Sequence, residues 1–418
     1  MPRFVQAVRA AAAKNEVCSA FELFYRDASY VIPVHSFLKR IACNPDASGR
    51  QETTKKRGLA MNIDFHYGVV YALARLGGMD VNEAQTVAHA CQYVDDATNH
   101  GLLRFAGGET FERIASAHDM IDYKNVDDDD NRRIWVPFHF LPGAQGDTLD
   151  QRAVCRPNSD VAKLMVRHAL AAHDVYNALH RLGVTLHVYV DTWAHQGFSG
   201  IESDYNRVTH LEGDDYDHDT WRGKLSHMLI KFGLDVASVS IDMVSGQGHG
   251  AALHFPDMPW VKWRYRCKAT HDFVERENLP AYIEAADMTC KVVQAFKART
   301  QDFEAQPGLS AEAKTAFHAL LGESRSHNPD ERLDRVGNAI AAGEIPGLME
   351  ALPAYIPKGP DSWKHLATGI TAKDDGEVAP VWSQHFEDSD YRKFHDATKE
   401  HRFVVVQQIL PTFGLRLT

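Results

Sequence analysis

The sequence has 418 residues, of which 44% are hydrophobic and 24% are charged, and its formal net charge is −11. These proportions are typical of a folded globular protein and exclude a largely disordered chain. The negative charge disfavours broad nonspecific binding to nucleic acid. No run of about 18 or more apolar residues occurs, so no membrane span is predicted. The amino-terminal stretch lacks the features of a secretory signal, and we therefore expect a cytoplasmic protein.

The six cysteines are widely spaced, and no two of them form a Cys-x-x-Cys pair. This pattern is typical of reduced core thiols and argues against a zinc ribbon or a disulfide framework. The cysteines are Cys18, Cys43, Cys91, Cys155, Cys267 and Cys290.

The first 60 residues end in a polar run from Asn44 to Arg57, a composition typical of a linker. We therefore predict that residues 1–60 form an N-terminal extension or linker, and that Met61 opens the core domain and the natural protein. The core is predicted to be a helical metal-binding region over residues 61–305. Residues 306–418 are predicted to form a C-terminal helical region.

The core opens with an apolar helix that begins at Met61 and is stopped by the glycine pair Gly77 and Gly78. This helix carries two ligand-type residues, Asp64 and His66. They form one of the clusters of histidine and aspartate that are spread over several predicted helices.

A second helix begins at Asp80, where Glu83 completes a variant of the capping box. His89 and Asp96 are seven residues apart, about two turns, and so share one face of this helix. Asp95 and Asp96 stand at its exit, where ligands often project into a cleft. The alternative is that the two aspartates are solvated surface charges.

Residues 100–158 are predicted to be rich in loops, with a short hairpin at most. The acidic run Asp127 to Asp130 lacks the glycine and terminal glutamate of an EF-hand, so we interpret it as a solvated loop. His139 lies in an apolar segment bracketed by prolines. We interpret it as a core residue or a support for ligands rather than a ligand.

The strongest helical pattern runs from Ser159 to Leu182, and Gly183 is predicted to end it. A further helix is predicted from Thr185 to His195. Because the two follow each other directly, we expect them to fold back as a helical hairpin.

His187, Asp191 and His195 are spaced four residues apart, which places all three on one stripe of that helix. The two histidines would lie about 12 Å apart along the axis, too far to bind one zinc ion. Asp191 can instead bridge two ions about 3.5 to 4 Å apart, as in two-metal hydrolases. The alternative is a core histidine hydrogen-bonded to a neighbouring aspartate.

Residues 200–270 are irregular and aromatic, and in them His249 is exposed on a tight turn between Gly248 and Gly250. The remaining predicted helices form covering structure. They run over His271 to Gln301, Ser310 to Leu321, Asp330 to Ala342 and Ser389 to Leu410. The fold class is therefore mainly α, an irregular multi-helix bundle with long loops and a metal site between core helices.

The sequence contains no phosphate-binding loop, no Gly-x-Ser-x-Gly elbow and no His-Glu-x-x-His motif. Clusters of histidine and aspartate remain, and this mixture of donors favours zinc, with manganese or iron as alternatives and more than one ion expected. Asp95 and Asp96 are the predicted catalytic residues, as ligand or general base. The predicted metal ligands are Asp64, His66, His89, Asp96, His187, Asp191, His195 and His249.

Four blocks of the sequence resemble the recurring blocks of an uncharacterised microbial family of unknown function, over about residues 61–270. They are Met61 to His66, Gln92 to Ala97, His187 to Phe198 and Gly248 to Gly250. More distantly, the helical plan with a His-x-x-x-Asp block and a following histidine is similar to zinc-dependent phospholipase C and the single-strand-specific zinc nucleases. That resemblance implies three zinc ions cleaving phosphodiesters, with His187 and Asp191 as the matching pair and His195 as the following histidine.

The sequence departs from that superfamily in three ways. The downstream histidine comes somewhat later in the superfamily, no second His-x-x-x-Glu/Asp pair stands out here, and the superfamily is typically secreted whereas no signal is visible in this chain. The superfamily also uses its mature amino terminus as a metal ligand. In this chain, Asp64 and His66 are expected to occupy that part of the metal site.

These patterns predict a metal-dependent hydrolase, most favourably a phosphoesterase that uses metal-bound hydroxide. Its substrate would be a small phosphorylated or lipid-like molecule. One alternative is an HD-type phosphohydrolase, for which His118-Asp119, His173-Asp174 and His271-Asp272 are candidate dipeptides. The other is a non-catalytic metal-binding or interaction protein with a structural His/Asp site. The oligomeric state is left open.

Overall fold

The protein is described here by a computed structural model, which covers residues 62–117, 128–214, 252, 254–372, 375 and 378–417. The predictions for residues 1–60 and for His249 lie outside these ranges. The division into an extension, a core and a C-terminal region therefore stays a prediction.

The described chain is mostly helical. A π-helical turn, Asp64–Val69, runs into α1, and a second, Val404–Ile409, continues α12. The helices are α1 Val70–Leu76, α2 Val81–Asp96, α3 Asp128–Phe138, α4 Leu149–Ala153, α5 Asp160–Ala171, α6 Ala178–Ala194, α7 Asn278–Lys297, α8 Ala311–Glu323, α9 Pro329–Ala341, α10 Trp363–Thr368, α11 Gln384–Glu387, α12 Asp390–Phe403 and α13 Leu410–Thr412. This agrees with the predicted mainly α class.

Two small antiparallel sheets interrupt the helices, so the fold is not purely helical. The strands are β1 Gly101–Arg104, β2 Thr110–Arg113, β3 Val208–Gly213, β4 Lys262–Cys267 and β5 Phe273–Glu277. The first two form the hairpin expected between residues 100 and 158, and the other three form a sheet in the order β3-β4-β5. Short 3₁₀ turns lie at Asp204–Asn206 and Phe255–Asp257.

The start of α2 was predicted correctly. Asp80 accepts a hydrogen bond from the Glu83 amide at 2.9 Å, and the Glu83 side chain accepts one from the Asp80 amide at 3.0 Å. This reciprocal capping box satisfies two amides that the helix itself leaves without partners. It fixes where α2 begins, and therefore which of its residues face the core.

The predicted end of the helix before Gly183 is wrong. α5 stops at Ala171, and α6 then runs from Ala178 through Gly183 to Ala194. A Cβ atom at residue 183 would lie 2.5 Å from the carbonyl oxygen of Val87 and 2.6 Å from the Cβ of Ala90. Glycine is therefore present because α2 passes close to α6, not because the helix ends.

The three-stranded sheet replaces structure that was predicted to be irregular or helical. In β4, buried Trp263, Tyr265 and Cys267 alternate with exposed residues, the period of two that a sheet with one buried face requires. β5 pairs with β4, so α7 begins at Asn278 rather than at His271.

The core is arranged around α6, which is buried along nearly its whole length. It contacts α2, α3, α5, α7 and α12, so five helices exclude water from it. In the described part of the chain, no helix combines the length and the apolar character needed to cross a bilayer.

Substituting Gly183 by alanine should destabilise the fold by about 1 to 3 kcal/mol, because the new methyl group would push α2 away from α6. Gly337 in α9 is the matched control, since a Cβ there would meet only Leu352 at an ordinary 3.6 Å. Gly337→Ala should instead stabilise by up to about 1 kcal/mol through helix propensity. Urea unfolding of both variants checks this, and equal effects would contradict the close crossing.

His401 should make the protein sensitive to acid. It is buried, its Nε2 lies 3.0 Å from the carbonyl oxygen of Pro137, and burial lowers its pKa to about 4. The unfolded chain takes up this proton near pH 6.5, so stability is lost as the pH falls from about 6.5 to 4, by up to about 3 kcal/mol. His401→Gln, which keeps a donor for Pro137, should flatten the dependence of unfolding free energy on pH in that window. An unchanged slope would count against this.

Candidate metal centre

The side chain of Asp191 lies at the centre of a buried polar cluster. It sits on α6 with His187 one turn before it and His195 one turn after it, and all three side chains are fully buried. The spacing of four residues brings them to one face, as the sequence predicted. The face is directed into the protein, towards residues from three other segments.

Those three segments supply the remaining members of the cluster. His66 comes from the π-helical turn, Cys91 and Asp95 come from α2, and His139 directly follows α3. π-Helical turns are rare and occur often at functional sites. The cluster therefore joins residues that are far apart in the sequence, and α6 is their common support.

The two carboxylate oxygens of Asp191 face different histidines. Oδ1 lies 3.2 Å from Nε2 of His66. Oδ2 lies 3.3 Å from Nε2 of His187, 3.5 Å from Nδ1 of His139 and 3.8 Å from Nδ1 of His195. The carboxylate thus has one imidazole at Oδ1 and three at Oδ2, an arrangement that a bridging ligand can have.

Asp95 adds a second carboxylate on the Oδ2 side of Asp191. Its Oδ1 lies 3.7 Å from Nε2 of His187 and 3.8 Å from Nδ1 of His139. The side chain of Asp95 is 13% exposed, whereas those of His139 and His187 are 2% exposed or less. The cluster therefore reaches solvent through Asp95.

Several of these atoms lie close together without forming hydrogen bonds. Both oxygens of Asp191 and Nε2 of His66 are buried, and within the described residues they have no hydrogen-bond partner of acceptable geometry. Buried polar atoms of this kind are costly unless something satisfies them. A hydrogen bond needs a donor as well as an acceptor, whereas a cation can be bound by several lone pairs that point into the same space. The arrangement of these atoms therefore fits a cation better than a hydrogen bond.

Two groups of three side chains place their ligand atoms within 4.8 Å of one another in the described part of the chain. One consists of Asp95, His139 and His187, and the other of His66, Cys91 and His187. The donor set is imidazole and carboxylate with one thiol, which suits zinc and other divalent transition metals. The residues present therefore fit a metal ion.

Backbone carbonyls orient two of the histidines. Nε2 of His139 lies 2.8 Å from the carbonyl oxygen of Ser116, so it donates there and leaves the Nδ1 lone pair facing Asp191 and Asp95. Nδ1 of His195 lies 2.8 Å from the carbonyl oxygen of His139. The nitrogen of His195 that is nearest Asp191 is therefore engaged by the backbone.

Charge and burial oppose each other at Asp191. Burial alone would raise the pKa of Asp191, but the imidazoles of His195, His187 and His66 lower it well below its ordinary value. Asp191 is therefore ionised at neutral pH. Burial lowers the pKa values of His66 and His187, which favours the neutral imidazoles that bind metals.

The outer carboxylate behaves differently. Burial raises the pKa of Asp95 to about 7, and the nearby Asp191 and Asp96 add to this effect. Burial would lower the pKa of His139, but the nearby carboxylates of Asp191 and Asp95 raise it overall. Around neutral pH, a proton is therefore held near the solvent edge of the cluster.

Four predicted ligands are brought together and others are not. His66, His187, Asp191 and His195 lie in the cluster, and so does Asp95. The side chain of Asp96 points elsewhere and accepts a hydrogen bond from the Tyr355 hydroxyl at 2.7 Å.

Asp64 and His89 lie outside the cluster. Both oxygens of Asp64 accept hydrogen bonds from the buried guanidinium of Arg332, at 2.8 and 3.0 Å. His89 stacks on Trp363, with ring centroids 3.9 Å apart. The shared helix face of His89 and Asp96 therefore does not produce a shared site.

The sequence reasoning underrated two members of the cluster. His139 was interpreted as core or support, yet its Nδ1 faces both carboxylates. Cys91 was treated as a core thiol, and it is buried and free, but its sulfur lies 3.6 Å from Nδ1 of His66. The one available signal was that Cys91 lies four residues before Asp95, on the same face of α2.

Comparison with known proteins gives one match. The sequence model of a family of unknown function (DUF6765) matches residues 61–409. The chain belongs to this family. The predicted resemblance to a family of unknown function is thus confirmed, and it extends past residue 270. No curated protein and no solved structure matches the chain, so the resemblance to the zinc-dependent phospholipases and nucleases has no support from these comparisons.

Replacing Asp64 by asparagine should destabilise the DUF6765 fold by about 3 to 5 kcal/mol, because Arg332 would keep a buried and unpaired charge. We expect bound metal per folded chain to stay unchanged. The control is Glu344→Gln, which breaks the exposed pair with Arg335 and should cost less than about 1 kcal/mol. Urea unfolding and elemental analysis provide the measurements. Loss of metal without loss of stability would make Asp64 a ligand.

Proposed function

We propose that this protein is a metal-dependent hydrolase that acts on phosphoesters. The observation that carries the proposal is the position of Asp191, whose Oδ1 faces His66 while Oδ2 faces His139 and His187. A carboxylate in that position can join two cations, as in two-metal phosphatases and nucleases.

The proposed ions are divalent, and zinc is the first candidate because imidazole and carboxylate donors suit it, with manganese and iron as alternatives. Bound there, they would supply the positive charge that stabilises the attacking and leaving oxygens of a phosphoryl transfer. His66 and Asp191 would hold one ion. His139, His187 and Asp191 would hold the other.

Asp95 is the proposed general base. It is the member of the cluster that reaches solvent, and its raised pKa of about 7 suits a group that accepts and returns a proton near neutral pH. Gln92 lies next to it, with Nε2 3.4 Å from Oδ2 of Asp95, and orients that carboxylate. Substrate would approach from this side, since the rest of the cluster is covered.

The burial of the cluster favours a second candidate, a structural metal site without catalysis. His66, His187 and Asp191 are completely buried, and a structural site is closed by its protein ligands whereas a catalytic one keeps an open position. Under this alternative the ions would tie α6 to α2 and the π-helical turn. Removing them would then unfold the protein rather than inactivate it.

The HD-type alternative has less support. His173 and Asp174 pair with each other at 3.0 Å away from the cluster, and Asp174 is exposed. His271 is exposed and lies two residues before β5, with its backbone in the left-handed region. His118-Asp119 falls outside the described residues, and neither of the two described candidates contacts Asp191.

Elemental analysis of the purified full chain, after reconstitution with zinc, manganese or iron(II), tests the proposal first. We expect about two ions per chain in the wild type, and losses in His187→Ala and Asp191→Asn. His180→Ala is the matched control. His180 lies on the same helix but binds Asp390, so its loss should leave the metal content unchanged.

Hydrolysis of p-nitrophenyl phosphate and bis(p-nitrophenyl) phosphate tests the activity. Asp95→Asn should lower kcat/KM by about 10² to 10⁴-fold while much of the metal is retained, because a general base contributes that much. If no reconstituted sample contains metal, the cluster is a polar part of the core and the proposed metal site is wrong. Bound metal without hydrolysis, together with unfolding on chelation, would establish the structural alternative.

A further inference from the structure

Cys91 lies at the edge of the His66 ring that faces away from Asp191. Its sulfur is 3.6 Å from Nδ1 of His66, while Nε2 of the same ring is 3.2 Å from Asp191. The two ring nitrogens point in different directions. An ion held between His66 Nε2 and Asp191 would therefore not be bound by the sulfur.

A neutral imidazole carries one proton, so one nitrogen donates while the other offers a lone pair. For His66 to bind a cation through Nε2, its proton must be on Nδ1. That N–H is buried and needs an acceptor, because an unsatisfied buried donor is costly. The Cys91 sulfur is placed to accept it, in the role that carboxylates or carbonyls usually play behind metal-binding histidines.

The same residue also adjoins the second histidine. The sulfur of Cys91 and one ring nitrogen each of His66 and His187 all lie within 4.8 Å of one another. The His66 and His187 rings stack with centroids 4.0 Å apart and planes 20° apart. Cys91 thus lies on the side of the His66 ring that is opposite Asp191, and the His187 ring stacks on that of His66.

We propose that Cys91 is a positioning residue that sets the tautomer and orientation of His66, so that this ring presents Nε2 to Asp191 beside the stacked ring of His187. This rests on the metal centre proposed above. The alternative, in which the thiolate itself binds a metal with His66 and His187, is an outcome of the test below.

The test measures zinc affinity by competition with a chromophoric chelator, on the full chain. Cys91→Ala should bind zinc about 10 to 100-fold more weakly, the usual effect of losing a group behind a metal-binding histidine. Cys91→Ser supplies a hydroxyl acceptor and should recover most of that loss. Cys290→Ala is the control, since Cys290 is also buried, free and helical but lies on α7, and its affinity should equal that of the wild type.

If Cys91→Ala does not fold, Cys91→Val keeps the bulk of the side chain while removing the acceptor, and the same loss is expected. Wild-type affinity in a folded Ala or Val variant would overturn the positioning role and leave the metal centre intact. A sulfur-to-cobalt charge-transfer band in the cobalt-loaded wild type that disappears in Cys91→Ser would also overturn the positioning role, because the thiolate would then be a metal ligand. If the wild type binds no zinc at all, the proposed metal centre fails.

Discussion

The close crossing of α2 and α6 is the constraint on which the candidate site depends. Gly183 allows the backbone of α6 to approach Val87 and Ala90 on α2 without a side chain between them. One to two turns further along, Cys91 and Asp95 consequently come within reach of the histidines on α6. A larger residue at position 183 would move Cys91 and Asp95 away from the histidines on α6. The packing of the two helices and the geometry of the candidate site are therefore coupled.

Burying so many polar groups has a cost that the surrounding structure offsets only in part. Arg276 donates to the carbonyls of Trp193 and Ala194 at the end of α6, which holds the last turn of that helix in place. Asp64 and Arg332 satisfy each other beside the π-helical turn. Asp191 has no comparable donor among the described residues, and a cation would supply what the protein does not.

Local patterns predicted the parts of this site that depend on neighbours in the sequence. The capping box at Asp80 and the face shared by His187 and Asp191 follow from short-range helix geometry. His139 was not predicted as a ligand because its role depends on contacts with α2 and α6, far away in the sequence. Gly183 was misread for the same reason, since a glycine that ends a helix and one that admits a neighbouring helix look alike locally.

The exposure of Asp95 separates the two proposed roles of the cluster. A purely structural site gains nothing from placing a carboxylate at its solvent edge, where hydration weakens its attraction for a cation. Here Gln92 lies between Asp95 and Asp96, and Tyr355 donates to Asp96, so the edge is ordered rather than incidental. A carboxylate at the solvent edge, beside converging imidazoles, is placed where a proton could pass to or from a solvent-borne substrate. The position of Asp95 therefore fits the proposed catalytic role better than it fits a site closed by its protein ligands.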